Sequence, residues 1–199
     1  LLQVIKKHQD GSSTAEGASA SASQHGIQSA TSANNTGIGS YALSSLTNTG
    51  NEGNDNTAVG TNAIRQGGAA NGSRNTAVGS SALSNGSGAF NNVAIGYSSL
   101  AAGVSGSSNT AVGTFALQNN TTANYNVGIG YETLRSATTG GNNTAIGLNA
   151  LTSNTGGSSN TANGALALEQ NTIGAQNTAI GYATLNLNST GSYNTATGL

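Results

Sequence analysis

The chain has no cysteine and few charged residues, and both shortages exclude classes of function. Without cysteine there is no disulfide framework, no thiolate zinc site and no cysteine nucleophile. Five basic and six acidic residues give a net charge of -1. That balance provides no electrostatic footprint for nucleic acid or for an anionic membrane surface. No apolar run approaches the ~20 residues of a membrane span, so we expect no nucleic-acid partner and no membrane insertion in this segment.

Large apolar residues are also scarce. Leucine, isoleucine, valine and phenylalanine together make up about a sixth of the 199 residues, below the roughly one fifth expected of an ordinary globular core. Charged residues are only 6% of the chain, so charge-driven disorder is not favoured either. The 30 glycines and the abundant Asn, Ser, Thr and Ala indicate repeats instead. The chain does not begin with Met and has no signal-peptide pattern, so we expect a segment of a longer protein.

A repeat based on Asn-Thr-Ala-Val-Gly runs through most of the chain. Its leading asparagine recurs at spacings of 21, 19 and then seven times 17 residues, at Asn35, Asn56, Asn75, Asn92, Asn109, Asn126, Asn143, Asn160, Asn177 and Asn194. The fifth place is always glycine, and the ninth is leucine in every complete copy but one. We therefore predict nine complete coils and a partial tenth over residues 35–199. Residues 1–34 are interpreted as a linker or an imperfect leading coil.

The content of each repeat predicts an all-β fold, a parallel β-solenoid. Each copy has two short apolar clusters, Thr-Ala-Ile-Gly and Ala-Leu, separated by residues that favour turns. Neither cluster shows the spacing of three and four residues that is typical of an amphipathic helix. We therefore expect two short strands in each coil, stacked at ~4.8 Å on the coils above and below. Because each coil contacts only its neighbours, little apolar material is needed.

The alternation of side chains along the first strand predicts which residues face inward. The third and fifth places carry Ala or Gly and are assigned to the interior, where the fifth-place glycines provide turns and close packing: Gly39, Gly60, Gly79, Gly96, Gly113, Gly130, Gly147, Gly164 and Gly181. The ninth-place residues are assigned to the core of the roll: Leu43, Ile64, Leu83, Leu100, Leu117, Leu134, Leu151, Leu168 and Leu185.

The fourth place of the repeat then points outward. Its Ile and Val side chains would form an exposed apolar patch unless another chain covered them. The predicted oligomer interface is therefore this row, which consists of Ile38, Val59, Val78, Ile95, Val112, Ile129, Ile146, Asn163 and Ile180.

Copies such as Asn143-Thr144-Ala145-Ile146-Gly147 resemble the head repeats of trimeric autotransporter adhesins, the YadA-like left-handed parallel β-roll. They are even more similar to the Asn-Thr-Ala-Ile-Gly-Tyr-x-Ala-Leu arrays of phage tail fibres and large bacterial surface proteins, which often precede an endosialidase-type chaperone domain. The resemblance covers residues 35–199. It implies a left-handed roll, a homotrimer, and a non-enzymatic extracellular segment that serves as the rigid shaft or head of a receptor-binding tail fibre. The implied partners are other copies of the chain and a cell-surface receptor, glycan or matrix ligand.

Two other functions stay open at this point. A bacterial surface adhesin of the trimeric autotransporter type is the main alternative, and a coiled-coil stalk followed by a membrane β-barrel in the full gene would favour it. A chaperone domain there would favour the tail fibre. Ice binding is a distant third, because Val93 and Val127 interrupt the regular threonine row formed by residues such as Thr57, Thr76, Thr110 and Thr144.

Candidates for chemistry are few. The two histidines, His8 and His25, lie outside the array, and its carboxylates are scattered, so neither a catalytic triad nor a carboxylate pair is expected. Glu52 and Asp55 lie in the insertion of the first coil and are weak candidates for binding Ca²⁺, since their spacing matches no EF-hand loop. The glycine pattern of residues 37–42 belongs to the repeat and not to a dinucleotide site. We expect no cofactor and no enzymatic activity.

The repeat register also makes two local predictions. Asp55 and Arg74 each precede the leading asparagine of successive coils, so their side chains are expected to pair along the rod. Asn163 occupies the Ile/Val place of its coil. If that row faces a threefold axis, three copies of Asn163 meet in an apolar column and hydrogen-bond to one another, which would fix the register of the trimer. The alternative is that this coil lies at a looser part of the interface, which solvent reaches.

Overall fold

The computed structural model describes residues 13–16, 34–43, 54–65, 72–86, 88–102 and 105–199, and their architecture is a β-solenoid. Eleven parallel strands form one sheet, in which each strand lies between its neighbours in the sequence. The strands are β1 (Ser13–Glu16), β2 (Asn35–Ile38), β3 (Thr57–Val59), β4 (Thr76–Val78), β5 (Val93–Ile95), β6 (Thr110–Val112), β7 (Val127–Ile129), β8 (Thr144–Ile146), β9 (Thr161–Asn163), β10 (Thr178–Ile180) and β11 (Thr195–Thr197). Among the described residues, no helix has the length and apolar character of a membrane span.

Equivalent places of the repeat lie side by side throughout the sheet. From β4 onwards each step is 17 residues, as where Thr144 lies beside Thr161. The steps of 21 and 19 residues keep the same register, with Thr57 lying between Thr36 and Thr76. The strand register is therefore the same in the two longer coils as in the 17-residue coils. The all-β solenoid expected from the repeat is confirmed.

Each coil has one strand among the residues that the structure describes, and the prediction of a second strand at the Ala-Leu cluster is wrong. In the coil of β6, Ala116 and Leu117 lie in a turn, where φ is 52° at Leu117 and 60° at Phe115, the residue before the cluster. A strand requires strongly negative φ at both positions. Hydrogen bonding between coils continues without a strand, because the Leu117 N–H donates to the carbonyl of Thr133 at 2.9 Å. The sequence pattern indicated that the leucine is buried, but not that a left-handed backbone directs it inward.

The interior of the roll is filled by the strand alanines and the turn leucines. Ala111 in β6 is fully buried, as are Ala116 and Leu117 in the turn that follows. A residue as small as alanine on the strand allows the two walls of the roll to lie close together, with leucine filling the space between them. The ninth-place residues from Leu43 to Leu168 are all buried, and Leu185 in the last complete coil is partly buried.

The fifth-place glycines permit this close stacking. At Gly96 φ is 131°, a conformation that residues with a side chain rarely adopt. A Cβ on Gly96 would lie 2.6 Å from the carbonyl oxygen of Gly113 in the next coil. The same positive φ, between 124° and 143°, occurs at all nine predicted positions from Gly39 to Gly181. Two constraints therefore require glycine at this place: the positive φ and the close approach of the neighbouring coil.

Candidate interaction surfaces

The outer face of the sheet carries a long apolar row, made by the fourth place of the repeat. Six of its side chains are 37 to 43% exposed, namely Ile38, Val78, Ile95, Ile129, Ile146 and Ile180. Val59 and Val112 are half-buried, and Asn163 is exposed. Successive members are one strand spacing, ~4.8 Å, apart. The row is therefore a continuous apolar strip that is interrupted only at Asn163 among the described strands β2 to β10.

A parallel row of small polar side chains lies beside the apolar one. It is made by the second place of the repeat, which is threonine except at Val93 and Val127, and these side chains are half-buried or exposed. Neither row contains a charged residue in strands β2 to β11. Another protein layer can therefore cover this face without desolvating an ion, which would cost several kcal/mol.

Inside the roll lies a ladder of buried asparagines, formed by the leading residues of the repeat. Asn143 shows the pattern: its Nδ2 donates to Oδ1 of Asn126 at 3.1 Å and to the carbonyl of Gly157 at 2.9 Å. Its Oδ1 in turn accepts hydrogen bonds from Asn160. Each amide therefore bonds to the coils on both sides, which makes its burial tolerable. The sequence signal was the presence of Asn at this place in all ten copies, but spacing alone did not reveal its role.

A second asparagine ladder adjoins the first in the C-terminal part of the array. Nδ2 of Asn171 donates to Oδ1 of Asn154 at 2.9 Å, and Asn188 donates to Asn171 at 3.3 Å. The carbonyl of Gly174 accepts from both Asn171 and Asn160, each at 2.9 Å. Shared carbonyls thus join the two ladders, and adjacent coils are locked together by side chains as well as by the backbone.

Three aromatic side chains meet on the surface of successive coils. The ring of Phe115 lies edge to face with Tyr97, at 5.4 Å between centroids and 76° between planes, and with Tyr131, at 6.2 Å and 73°. Both tyrosines stay about half exposed, at 53% and 47% respectively. Such edge-to-face pairs contribute roughly 0.5–1.5 kcal/mol each beyond area burial. The result is an ordered aromatic surface in the middle of the rod.

Charged and amide groups border these rings. The Arg135 guanidinium lies 5.4 Å from the Phe115 centroid, and its Nη1 is 3.2 Å from Oε1 of Glu132. Nε of Arg135 also donates to Oε1 of Gln118 at 3.1 Å. A hydrogen bond to the Glu132 carboxylate, followed by its negative charge and a small burial effect, raises the pKa of the Tyr131 phenol, while Arg135 opposes the shift. We call Tyr97, Phe115, Gln118, Tyr131, Glu132 and Arg135 the aromatic cluster.

The ion pair expected between Asp55 and Arg74 is wrong. Both side chains are exposed, and the Asp55 carboxylate instead accepts a hydrogen bond from Nδ2 of Asn34 at 2.9 Å. The stacking register at this corner is kept, since the Arg74 N–H donates to the Asn54 carbonyl at 2.9 Å. The exposed side chains are free to turn toward solvent or another neighbour, so equal register does not force them to pair.

The other candidate residues form no chemical site in the part of the chain that is described. Glu52, His8 and His25 lie outside the described residues. Within the described ranges, no group of three or more His, Cys, Asp or Glu is close enough to hold a metal ion. Asp55 is thus left with Asn34 as its side-chain partner.

Comparisons with protein-family models, with curated proteins and with solved structures find no match to this chain.

Proposed function

We propose that the chain is a non-enzymatic, extracellular fibre segment that assembles as a homotrimer of left-handed rolls. It would serve as the rigid shaft or head of a receptor-binding tail fibre of the phage type. The resemblance of the repeats supports the tail-fibre assignment, the handedness and the number of chains. The described solenoid supports the mechanical role, because every coil is tied to the next by backbone and asparagine hydrogen bonds.

The observation that carries this proposal is the exposed apolar row on the outer face of the sheet. Side chains such as Ile129 and Ile146 leave about two fifths of their surface in water. Covering what remains would contribute about 1 kcal/mol for each residue, at the usual value per unit of apolar area. Repeated over the array, that is enough to hold identical chains together along their length. The absence of charge on this face favours another copy of the same face as the partner.

Solution mass measures the assembly directly. The full chain should have three times its 19.3 kDa mass by light scattering and sedimentation. Replacing Ile146 by Asp should convert the trimer to monomers, because a carboxylate at an apolar contact has no partner there. Thr139→Asp is the matched control, since Thr139 is exposed in a turn away from the strand face. A monomeric wild-type chain, or equal dissociation by both variants, would contradict the trimer.

The full-length reading frame separates the tail fibre from the surface adhesin. A chaperone domain encoded after the array would support the tail fibre. A coiled-coil stalk with a membrane anchor would instead support the surface adhesin. In either case the chain would remain a fibre segment.

A further inference from the structure

The aromatic cluster does not repeat from coil to coil, unlike the apolar and threonine rows of the strand face. Tyr97 and Tyr131 occupy the sixth place of their coils, which holds tyrosine again at Tyr182 and otherwise residues such as Ser80 and Ala165. Phe115 occupies the seventh place of the coil between them. A contact between identical rods needs similar residues in every coil, whereas this surface spans three successive coils. It is therefore suited to a ligand of limited length.

We propose that the aromatic cluster binds a short segment of a neutral glycan, with one sugar ring on Tyr97 and another on Tyr131. The two tyrosines occupy the same place of coils two steps apart, so they lie roughly 10 Å from one another along the rod. Adjacent pyranose rings lie about half this distance apart, so the two tyrosines match the first and third rings of a linear trisaccharide. A sugar ring has an apolar face that packs on an aromatic ring, and both tyrosines present half-exposed rings for this purpose.

The polar groups of the cluster match the hydroxyls at the edge of such a sugar. Glu132 offers acceptor oxygens and Arg135 offers donors, and both are held in place before binding. The side chain of Glu132 is only 16% exposed and is fixed by Arg135, which Gln118 holds from the other side. Because these side chains are already ordered, they lose little conformational entropy when a ligand binds.

Charge and an unpartnered acceptor further define the ligand. Glu132 and Arg135 neutralise each other, so the cluster favours a neutral sugar over an acidic one. Asn149 occupies in the next coil the place that Glu132 occupies in its own, and its Oδ1 is buried without a hydrogen-bond partner among the described residues. The residue adjoins the cluster, since the Asn149 N–H donates to the carbonyl of Tyr131 at 2.9 Å, and an unpartnered acceptor there favours a ligand that carries hydroxyl donors.

The test uses the full chain and neutral oligosaccharides of one to four glucose, galactose or N-acetylglucosamine units. Binding is followed by tyrosine fluorescence and by saturation-transfer NMR. At least one series should bind saturably, with a clear gain from two units to three, because the first and third rings then contact both tyrosines. Tyr131→Ala should weaken binding about tenfold, equivalent to about 1.4 kcal/mol. Tyr131→Phe should retain the stacking and most of the affinity.

Tyr182→Ala is the matched control, since Tyr182 occupies the same repeat place outside the cluster and is similarly exposed. It should leave binding unchanged. No saturable binding by any member of the series, or equal weakening by Tyr182→Ala and Tyr131→Ala, would overturn the proposal. So would dissociation of the assembly by Tyr131→Ala, because the cluster would then belong to a contact between chains.

All residues of the site belong to one chain, so the proposal does not require the trimer. Light scattering on the same samples separates the two ideas. A monomeric wild-type chain that binds the oligosaccharides would contradict the trimer and support the glycan site. A trimer that binds none of the oligosaccharides would support the trimer and contradict the glycan site.

Discussion

Asn160 donates two hydrogen bonds to a single oxygen, Oδ1 of Asn143 in the preceding coil, from its backbone N–H at 2.9 Å and from its Nδ2 at 3.1 Å. Both residues are buried. This geometry ties a side chain of one coil to the backbone of the next. A carboxylate cannot replace the amide because it has no N–H to donate, and a hydroxyl has one donor hydrogen where the Asn143 amide donates two hydrogen bonds.

Asn143→Ala should lower the free energy of unfolding by about 2–4 kcal/mol. The backbone N–H of Asn160 would lose its acceptor while remaining buried, which costs roughly 1–3 kcal/mol, and further hydrogen bonds are lost with the amide. Chemical denaturation measures the change. Asn119→Ala, at an exposed asparagine, should change stability by no more than about 0.5 kcal/mol. Equal effects of the two substitutions would mean that the ladder contributes nothing specific.

Gly96→Ala should destabilise the roll by about 3 kcal/mol or more, because the new Cβ meets the backbone of the next coil and the residue must keep a positive φ. Gly198→Ala is the natural comparison. Gly198 has φ of 123°, but a Cβ there would have nothing within 4 Å. The difference between their melting temperatures therefore reports the clash with the neighbouring coil. If the two variants melted together, coil stacking would not be the reason for glycine at this place.

Leu117→Ala should cost about 2–5 kcal/mol, the usual range for a fully buried leucine that leaves a cavity. Leu185→Ala should cost less, since Leu185 occupies the same place of the repeat but is only partly buried. Both residues have φ near 50°, so strain in the backbone is matched between the variants. Denaturant unfolding of the two proteins isolates the contribution of burial. A larger loss at Leu185 would contradict the described core.

Asn163→Ile should raise the melting temperature of the trimer and also permit misaligned or larger assemblies. Asn163 lies between Ile146 and Ile180 in the sheet, so isoleucine would complete the apolar row. Its amide is the one polar group in that described row and would fix the alignment of the chains, as a buried asparagine does in coiled coils. Calorimetry and light scattering measure the two effects. A lower melting temperature with unchanged mass distribution would exclude register control.

The pKa of Tyr131 predicts a loss of stability at alkaline pH. Because Glu132 raises this pKa in the folded chain, the folded state keeps the phenol proton above the pH, about 10, at which an unfolded tyrosine releases it. The unfolded state then binds fewer protons, so stability falls as the pH rises through the folded pKa.

Spectrophotometric titration of phenolate, taken as wild type minus Tyr131→Phe, should show a midpoint above the usual tyrosine range. Glu132→Gln should lower that midpoint by removing the carboxylate. An unchanged midpoint in Glu132→Gln would show that the carboxylate is not the cause.

The repeat alone was sufficient to predict a parallel solenoid, the inward alanines, the buried leucines and the outward isoleucines. These properties depend on two periods, the alternation of side chains along a strand and the 17-residue step between coils. Both periods can be read directly from the amino-acid sequence. The prediction of a second strand at Ala116 and Leu117 was wrong, since apolar content does not specify φ.

Three features depend on contacts between coils, and the sequence periods did not predict them. The partners of Asn143 lie 14 to 17 residues away on both sides, and their bonds exist only because the coils stack with the asparagines in line. Phe115 meets Tyr97 and Tyr131 although they occupy different places of the repeat. Asp55 and Arg74 stay apart although they occupy the same place. The repeat register aligns the backbones of successive coils. The direction of each exposed side chain depends on its rotamer and on neighbouring side chains in other coils.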